Sequence, residues 1–261
     1  MNGFATIPAL LSPYAEGGEA VSRDVPLETP VAIEISGITY AVMMATPADL
    51  EDFVTGFLLS EGLADAAEIG EIALHTVHEG EAFVARTSLP PERMEPILNR
   101  ARRRLGDSSC GLCGLDSVEE ALRPLPPLTV RSNTPPAAIR RGLAAMRDAQ
   151  LLGARTRATH AAAFLSNDGT LVALREDVGR HNALDKLIGA LARQRISSAT
   201  GFIAVTSRCS YELVEKTVRA GCPLLVAVSA PTSLAVSRAK AAGLAMAAIA
   251  RDDSLLWVST P

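Results

Sequence analysis

Two cysteines three positions apart, Cys110 and Cys113 in SSCGLCG (108–114), are the residues best suited to chemistry in this chain. Cysteine reacts and binds metal as the thiolate, and nearby cations or a helix N-terminus lower its pKa. Arg100, Arg102, Arg103 and Arg104 lie just upstream. Ser117 and Glu120 have capping-box spacing, which predicts a helix start just downstream. Gly111 and Gly114 leave the backbone open and the sulfurs unshielded. The spacing alone fits a metal clamp, a redox couple, a sulfur carrier, or a turn with incidental cysteines. A zinc site needs four N or S ligands, and His75 and His78 are the nearby candidates. The segment 71–88 reads as a hairpin, however, and three residues of spacing along one strand set the two rings on opposite faces. A thioredoxin-like pair opens a helix directly after a strand. Here a basic helix and GDSS come first.

A second cluster, REDVGRHNALDKLIG (175–189), gathers Asp177, Arg180, His181, Asn182, Asp185 and Lys186 at a helix entry. His181 and Asp185 share a face at i, i+4 spacing. Such a helix start can hold an anion, and it can equally be a well-capped helix with solvated charges. Three further polar turns follow short apolar strands: TSRCSYE (206–212) with Arg208, SAPTS (229–233) with Ser229, and IARDDS (249–254) with Arg251 and two acids. In an open parallel sheet, ligands bind beyond the carboxyl ends of strands, so three polar turns at one edge predict a pocket.

The elements that must position these residues divide the 261-residue chain into unlike halves. Residues 1–24 lack periodicity and read as a flexible lead-in. Hairpins are predicted over 30–45, turning at Ser36-Gly37, and over 71–88, turning at Glu79-Gly80. Between them TPADLEDFVTGFLLSEGL (46–63) predicts a helix with Thr46 as N-cap and Pro47 as its first residue. A basic helix over 91–105 is bent or delayed by Pro96. Proline-rich 124–136 reads as a linker. Beyond it come a helix (136–152), a hairpin turning at Asn167-Asp168-Gly169, and a helix over 180–195 with Leu184, Leu187, Ile188 and Leu191 as its apolar stripe. Alternating strands and helices then run to a final strand, LAMAAIA, which predicts parallel pairing. The fold class is α/β, α+β overall, with an N-terminal α+β domain over 25–135 that carries the CxxC loop and a second domain over 136–261.

Composition narrows the function. Hydrophobic residues make up 48%, enough for a sizeable core, and aromatics only 4%, so that core is aliphatic. The net charge is −4, which gives no global field for nucleic acid. No apolar stretch reaches membrane-spanning length, and no secretory signal is legible at the N-terminus. Four cysteines do not suggest a disulfide scaffold, and Cys209 and Cys222 read as small buried hydrophobes in a reducing compartment.

SSCGLCG, EDVGRHNALDKLIG, TSRCSYELVEK and AVSAPTSLAV occur in this order in the FdhD family, and TPADLEDFVTGFLLSEGL is similar to an N-terminal helix of that family. The chain therefore resembles an FdhD protein from about residue 25 to its end. The resemblance implies a cytoplasmic, homodimeric sulfurtransferase with a cytidine-deaminase-like C-terminal domain. Such a protein takes persulfide sulfur from a cysteine desulfurase and passes it to the molybdenum bis-guanine-dinucleotide cofactor, as required for formate dehydrogenase activity. It implies Cys110 as the persulfide bearer and Cys113 as its partner, with no permanently bound metal. Ile249, Ala250, Arg251, Asp252, Asp253 and Ser254 match the cofactor-contacting segment, with Asp252 and Asp253 in place of a more common Pro/Gly turn. Arg180, His181, Arg208 and Ser229 would complete the pocket for the nucleotide ends. Zinc deaminases need H-x-E or C-x-E together with P-C-x-x-C. None of the four histidines here begins an H-x-E, and Ser109 precedes Cys110. The other class to weigh is a zinc-binding or dithiol-redox chaperone module for a dehydrogenase.

Overall fold

The computed structural model describes residues 3–12, 14, 17–99 and 124–260. It holds a two-stranded ribbon and two larger sheets. The stretch expected as an irregular lead-in contains two strands, β1 (Phe4–Leu11) and β2 (Glu19–Pro26), paired antiparallel. A two-stranded ribbon is marginal alone. This one is anchored through Asp24 to Arg155, at 3.1 Å, and by the same guanidinium over the Phe4 ring.

The first larger sheet has the order β4-β3-β6-β5. It is built from β3 (Thr29–Ile35), β4 (Ile38–Ala45), β5 (Ala73–Val77) and β6 (Ala82–Thr87). Ser36 and Gly37 turn the first hairpin with φ of 48° and 83°, and Glu79 and Gly80 turn the second with 58° and 95°, as the sequence predicts. His78 departs from expectation. It stands in the turn with φ 51° rather than in the strand with His75. Helix α1 (Leu50–Ser60) covers this sheet through Phe53, Val54, Phe57 and Leu58. It begins three residues later than its capping signal predicts. Thr46 is not the N-cap, because its backbone and hydroxyl are all engaged across the molecule: its N–H donates to Asp177, its carbonyl accepts from Lys186, and its hydroxyl accepts from Val178 N–H. Asp49 sits at the cap in a left-handed conformation.

The second sheet has the order β12-β11-β10-β9-β7-β8. Strands β7 (His160–Ser166) and β8 (Leu171–Asp177) form the predicted hairpin. Strands β9 (Gly201–Val205), β10 (Leu224–Ala227) and β11 (Ala245–Ala248) are mutually parallel. The chain does not end on the predicted final strand: β12 (Leu256–Ser259) pairs antiparallel with β11. Helix α2 (Pro136–Ala149) packs on one face against Ala161, Ala163, Leu165, Phe202 and Ala204, and short α3 (Leu151–Thr156) follows it. Helices α4 (Arg180–Arg193), α5 (Tyr211–Arg219) and α6 (Ser233–Ala242) cover the other face against Ala162, Phe164, Ile203 and Val205. Successive residues of β7 thus face opposite layers, the period-2 pattern of a sheet buried on both sides. The proline-rich linker over 124–135 has no helix or strand but is bound to this half: Leu128 N–H donates to Ala242, and Leu125 and Leu128 pack on its core.

The two sheets meet where α1 crosses α4. A Cβ on Gly56 would stand 1.7 Å from the Asp185 carbonyl oxygen, and one on Gly189 1.8 Å from that of Asp52. The helices therefore touch backbone to backbone. Gly56→Ala should cost about 3 kcal/mol and lower the melting temperature by about 10 °C. A melt within about 2 °C of the wild type would show that the helices do not touch there.

Candidate functional site at the sheet edge

The three polar turns come together at the carboxyl edge of β9, β10 and β11, and backbone hydrogen bonds order them. Cys209 N–H donates to Ala230, Thr232 N–H to Cys209, Ile249 N–H to Ser229 and Ala250 N–H to Ala227. The last turn is closed by Arg251 N–H to Ser254 at 2.8 Å, with Asp252 and Asp253 as its central residues. Ile249 carries φ 51°. That left-handed conformation is costly for a β-branched residue and persists only where its surroundings hold it. Here the Ser229 carbonyl does so at 3.2 Å.

Two adjoining hollows open between this turn and α2. The larger, about 520 Å³, is lined by Pro136, Arg140, Arg251, Asp253, Ser254 and Trp257 among others. The smaller, about 180 Å³, runs past Met146, Arg147, Gln150, Thr206, Val228 and Ala250. Leu143, Arg251 and Asp252 border both. The larger volume is within the range that holds small ligands. Arg251 is held in place by the carbonyls of Val228 and Ala250. Asp252 does not stand unpaired beside these arginines: its carboxylate meets Arg147 at 2.6 Å. Sequence reading missed α2 as a wall of the site. Its signal was present in Arg140 and Arg147, on a segment read only as a helix.

Of the other predicted site residues, Arg180, His181, Arg208 and Ser229 do not line either hollow. Arg180 and His181 start α4, on the opposite face of the sheet from α2, and form a separate polar cluster. His181 Nε2 lies 3.0 Å from Glu212 Oε2, and Ser210 Oγ lies 2.9 Å from the same oxygen and 3.5 Å from the same ring nitrogen. A serine–histidine–acid relay uses the two opposite ring nitrogens, so this is not one. The hydrogen bond from His181, with help from Ser210 and Arg180, holds Glu212 at about 2 against burial, which pushes it up. His160, which sequence reading passed over, stands close by. Burial, then the charges of Arg180 and His181, push its pKa down. Arg180 Nε is buried with no hydrogen-bond partner among the described residues.

The rest of the REDVGRHNALDKLIG cluster is structural. Lys186 is fully buried against Asp177 at 2.7 Å, and burial pushes its pKa down. Asn182 bonds Asp177 and the Met44 carbonyl. Asp185 accepts from Ser60 at 2.6 Å and from Lys216 at 3.0 Å, and Lys216 also reaches Glu61. Burial disfavours the charged form of Lys216, but the Asp185 and Glu61 carboxylates outweigh it and hold its pKa up. These pairs bolt α4 to α1 and its approach segment.

Cys110 and Cys113 lie outside the described residues. Cys209 and Cys222 are wholly buried, and burial pushes both thiols up to about 12. Among the described residues, no three His, Cys, Asp or Glu side chains are grouped to hold a metal. Nor is any helix there long and apolar enough to cross a membrane.

A ligand-sized hollow beyond the strand ends, walled by arginines and one indole, is how α/β proteins hold ligands with anionic groups. The chain belongs to the FdhD/NarQ family, whose model matches residues 26–261. It is 47% identical over 247 residues to the sulfur carrier protein FdhD of Xanthomonas euvesicatoria pv. vesicatoria (strain 85-10), covering 94% of this chain and 87% of that one. It is 46% identical over 244 residues to the sulfur carrier protein FdhD of Variovorax paradoxus (strain S110), covering 92% and 86%. The crystal structure of a protein assigned as a formate dehydrogenase accessory protein from Desulfotalea psychrophila superposes with a TM-score of 0.75 at 26% identity, covering 99% of this chain and 97% of that one.

The depressed pKa of Glu212 fixes the sign of one pH effect. Its contribution to stability is complete above its ordinary value near 4.5 and is lost as pH falls from there towards 2. Glu212→Gln should remove about 1 kcal/mol at pH 7, since solvent screens a half-exposed pair, and should flatten the acid limb of a stability–pH curve. An unchanged acid limb would show that the His181–Glu212 contact contributes nothing.

Proposed function

We propose that this chain is a sulfur carrier, a sulfurtransferase that supplies sulfur to the molybdenum bis-guanine-dinucleotide cofactor of a formate dehydrogenase. The observation that carries the reading is the state of its cysteines. Two of the four are buried with thiols pushed to about 12, far from the thiolate that sulfur transfer requires. The remaining pair is Cys110 and Cys113, in a chain whose relatives are sulfur carriers.

In this reading Cys110 thiolate attacks the outer sulfur of a cysteine desulfurase persulfide. An S–S bond forms on Cys110 and the desulfurase cysteine leaves as thiolate. For release, Cys113 thiolate attacks the Cys110 sulfur. The Cys110–Cys113 disulfide forms as sulfide departs, so the two thiols supply the electrons. The cofactor is the substrate. Its guanine nucleotide end occupies the hollow between α2 and 251–254, with the indole of Trp257 beside the base and Arg140 and Arg251 towards the phosphates. The cluster of Arg180, His181, Arg208 and Ser229 would serve a second polar part of the ligand. The chain works in the cytoplasm as a homodimer, and residues 136–261 form a cytidine-deaminase-like domain. Three parallel strands flanked by α4, α5 and α6 support that last assignment.

Incubation with a desulfurase and cysteine should add one sulfur atom, mapped to Cys110 by intact-mass and peptide analysis. Cys110→Ala should abolish both the added mass and the activation of formate dehydrogenase. Retention of either, or sulfur found on Cys209 or Cys222, would sink the reading. GDP should also quench the fluorescence of Trp257, the only tryptophan in the chain.

A further inference from the structure

We propose that Arg147 and Asp252 form a displaceable latch between the two hollows, and that Asp252 restrains nucleotide binding by occupying the guanidinium that would otherwise hold a diphosphate. The inference rests on the nucleotide reading of the hollow given above. Arg147 comes from α2 and Asp252 from the closed turn opposite, so their contact bridges the walls where the hollows adjoin. The guanidinium meets the carboxylate through both terminal nitrogens, at 2.6 and 3.5 Å. A phosphate satisfies the same planar fork in the same way.

The contact is easily broken. The side chains are 61% and 75% exposed, and an ion pair that open to water contributes little to stability. The neighbouring cations are committed differently. Arg251 is tied to two backbone carbonyls, while Arg140 has no hydrogen bond or ion pair of its own among the described residues and is near enough to help lower the pKa of Asp252. Exchanging a carboxylate for a diphosphate on Arg147 keeps its fork filled and joins the hollows into one groove. Asp252 then swings to solvent. Two acids in this turn therefore do not bar an anionic ligand: one is held by Arg147 until the ligand takes that arginine over, and the other, Asp253, hydrogen-bonds Ser254 at 2.8 Å.

The test is a double-mutant cycle with GDP as the probe, read by isothermal titration calorimetry on the full chain. Asp252→Asn should tighten GDP binding about five-fold. Arg147→Ala should weaken it about ten-fold. The decisive term is the coupling: in the Arg147→Ala background, Asp252→Asn should gain less than about two-fold, because there is no longer an arginine to release. Asp252→Asn gaining as much with Arg147 as without it would overturn the latch and leave plain charge repulsion, with the nucleotide reading intact. No GDP binding by the wild type would remove the nucleotide reading and the latch with it. Should Arg147→Ala melt early, Arg147→Gln completes the same cycle.

Discussion

The contact between α1 and α4 is the constraint on which the rest of the structure depends. Two helices can approach to backbone contact only where neither carries a side chain, and Gly56 and Gly189 meet that condition from opposite sides. Around this crossing, charged groups add to the apolar packing of Leu59 on the core that α4 helps to form. Asp52 is held by Arg175 and Arg193 at 2.7 and 2.6 Å, while Ser60 and Asp185 share Lys216. Leaving one partner of such a buried set alone is far costlier than losing one apolar contact. The crossing therefore specifies one arrangement of the two sheets rather than a range of them. It also sets the position of α4, and through it the start of that helix at the sheet edge.

That arrangement divides the polar residues into two kinds of work. Asp177, Asn182, Asp185 and Lys186 face inward and hold α1 and its approach segment in place. His181, at the start of the same helix, meets Glu212 and lies beside Ser210 at the sheet edge, with the charge of Arg180 acting on Glu212. A single fourteen-residue helix thus carries a structural bolt and part of a half-buried polar cluster, separated by helical phase. The same economy appears in the cysteines. Cys209 lies in the polar turn yet points into the core, with Met246 beside it at 3.8 Å. It acts there as a small apolar group.

At the opposite face the hollow depends on strain and charge held in balance. Ile249, just before the closed turn, adopts a conformation that glycine would take at little cost. The turn then presents two carboxylates and one arginine to a helix with two arginines in reach. The walls are rigid where backbone carbonyls hold Arg251. They are adjustable where only Arg147 and Asp252 meet.

Local signals in the sequence were sufficient for the hairpins at Ser36-Gly37, Glu79-Gly80 and Asn167-Asp168-Gly169, because turn residues with φ above zero act within a few positions. The alternation of strands and helices from 201 onward, the three parallel strands, and the inertness of Cys209 and Cys222 were legible for the same reason. Apolar runs of that length report burial on both faces. Family membership was legible too, since separated blocks keep their order whatever the packing. What only the tertiary structure decided involves partners distant in the chain. Thr46 looks like a helix cap until Asp177 and Lys186, more than 130 positions away, claim its backbone. Strand β12 lacks any strong signal because its pairing with β11 supplies the order. The single pocket expected from three polar turns became a hollow on one face and a charged cluster on the other. A turn's position at a sheet edge follows from strand order, but the face its side chains serve follows from which helix packs there, and no local spacing encodes that.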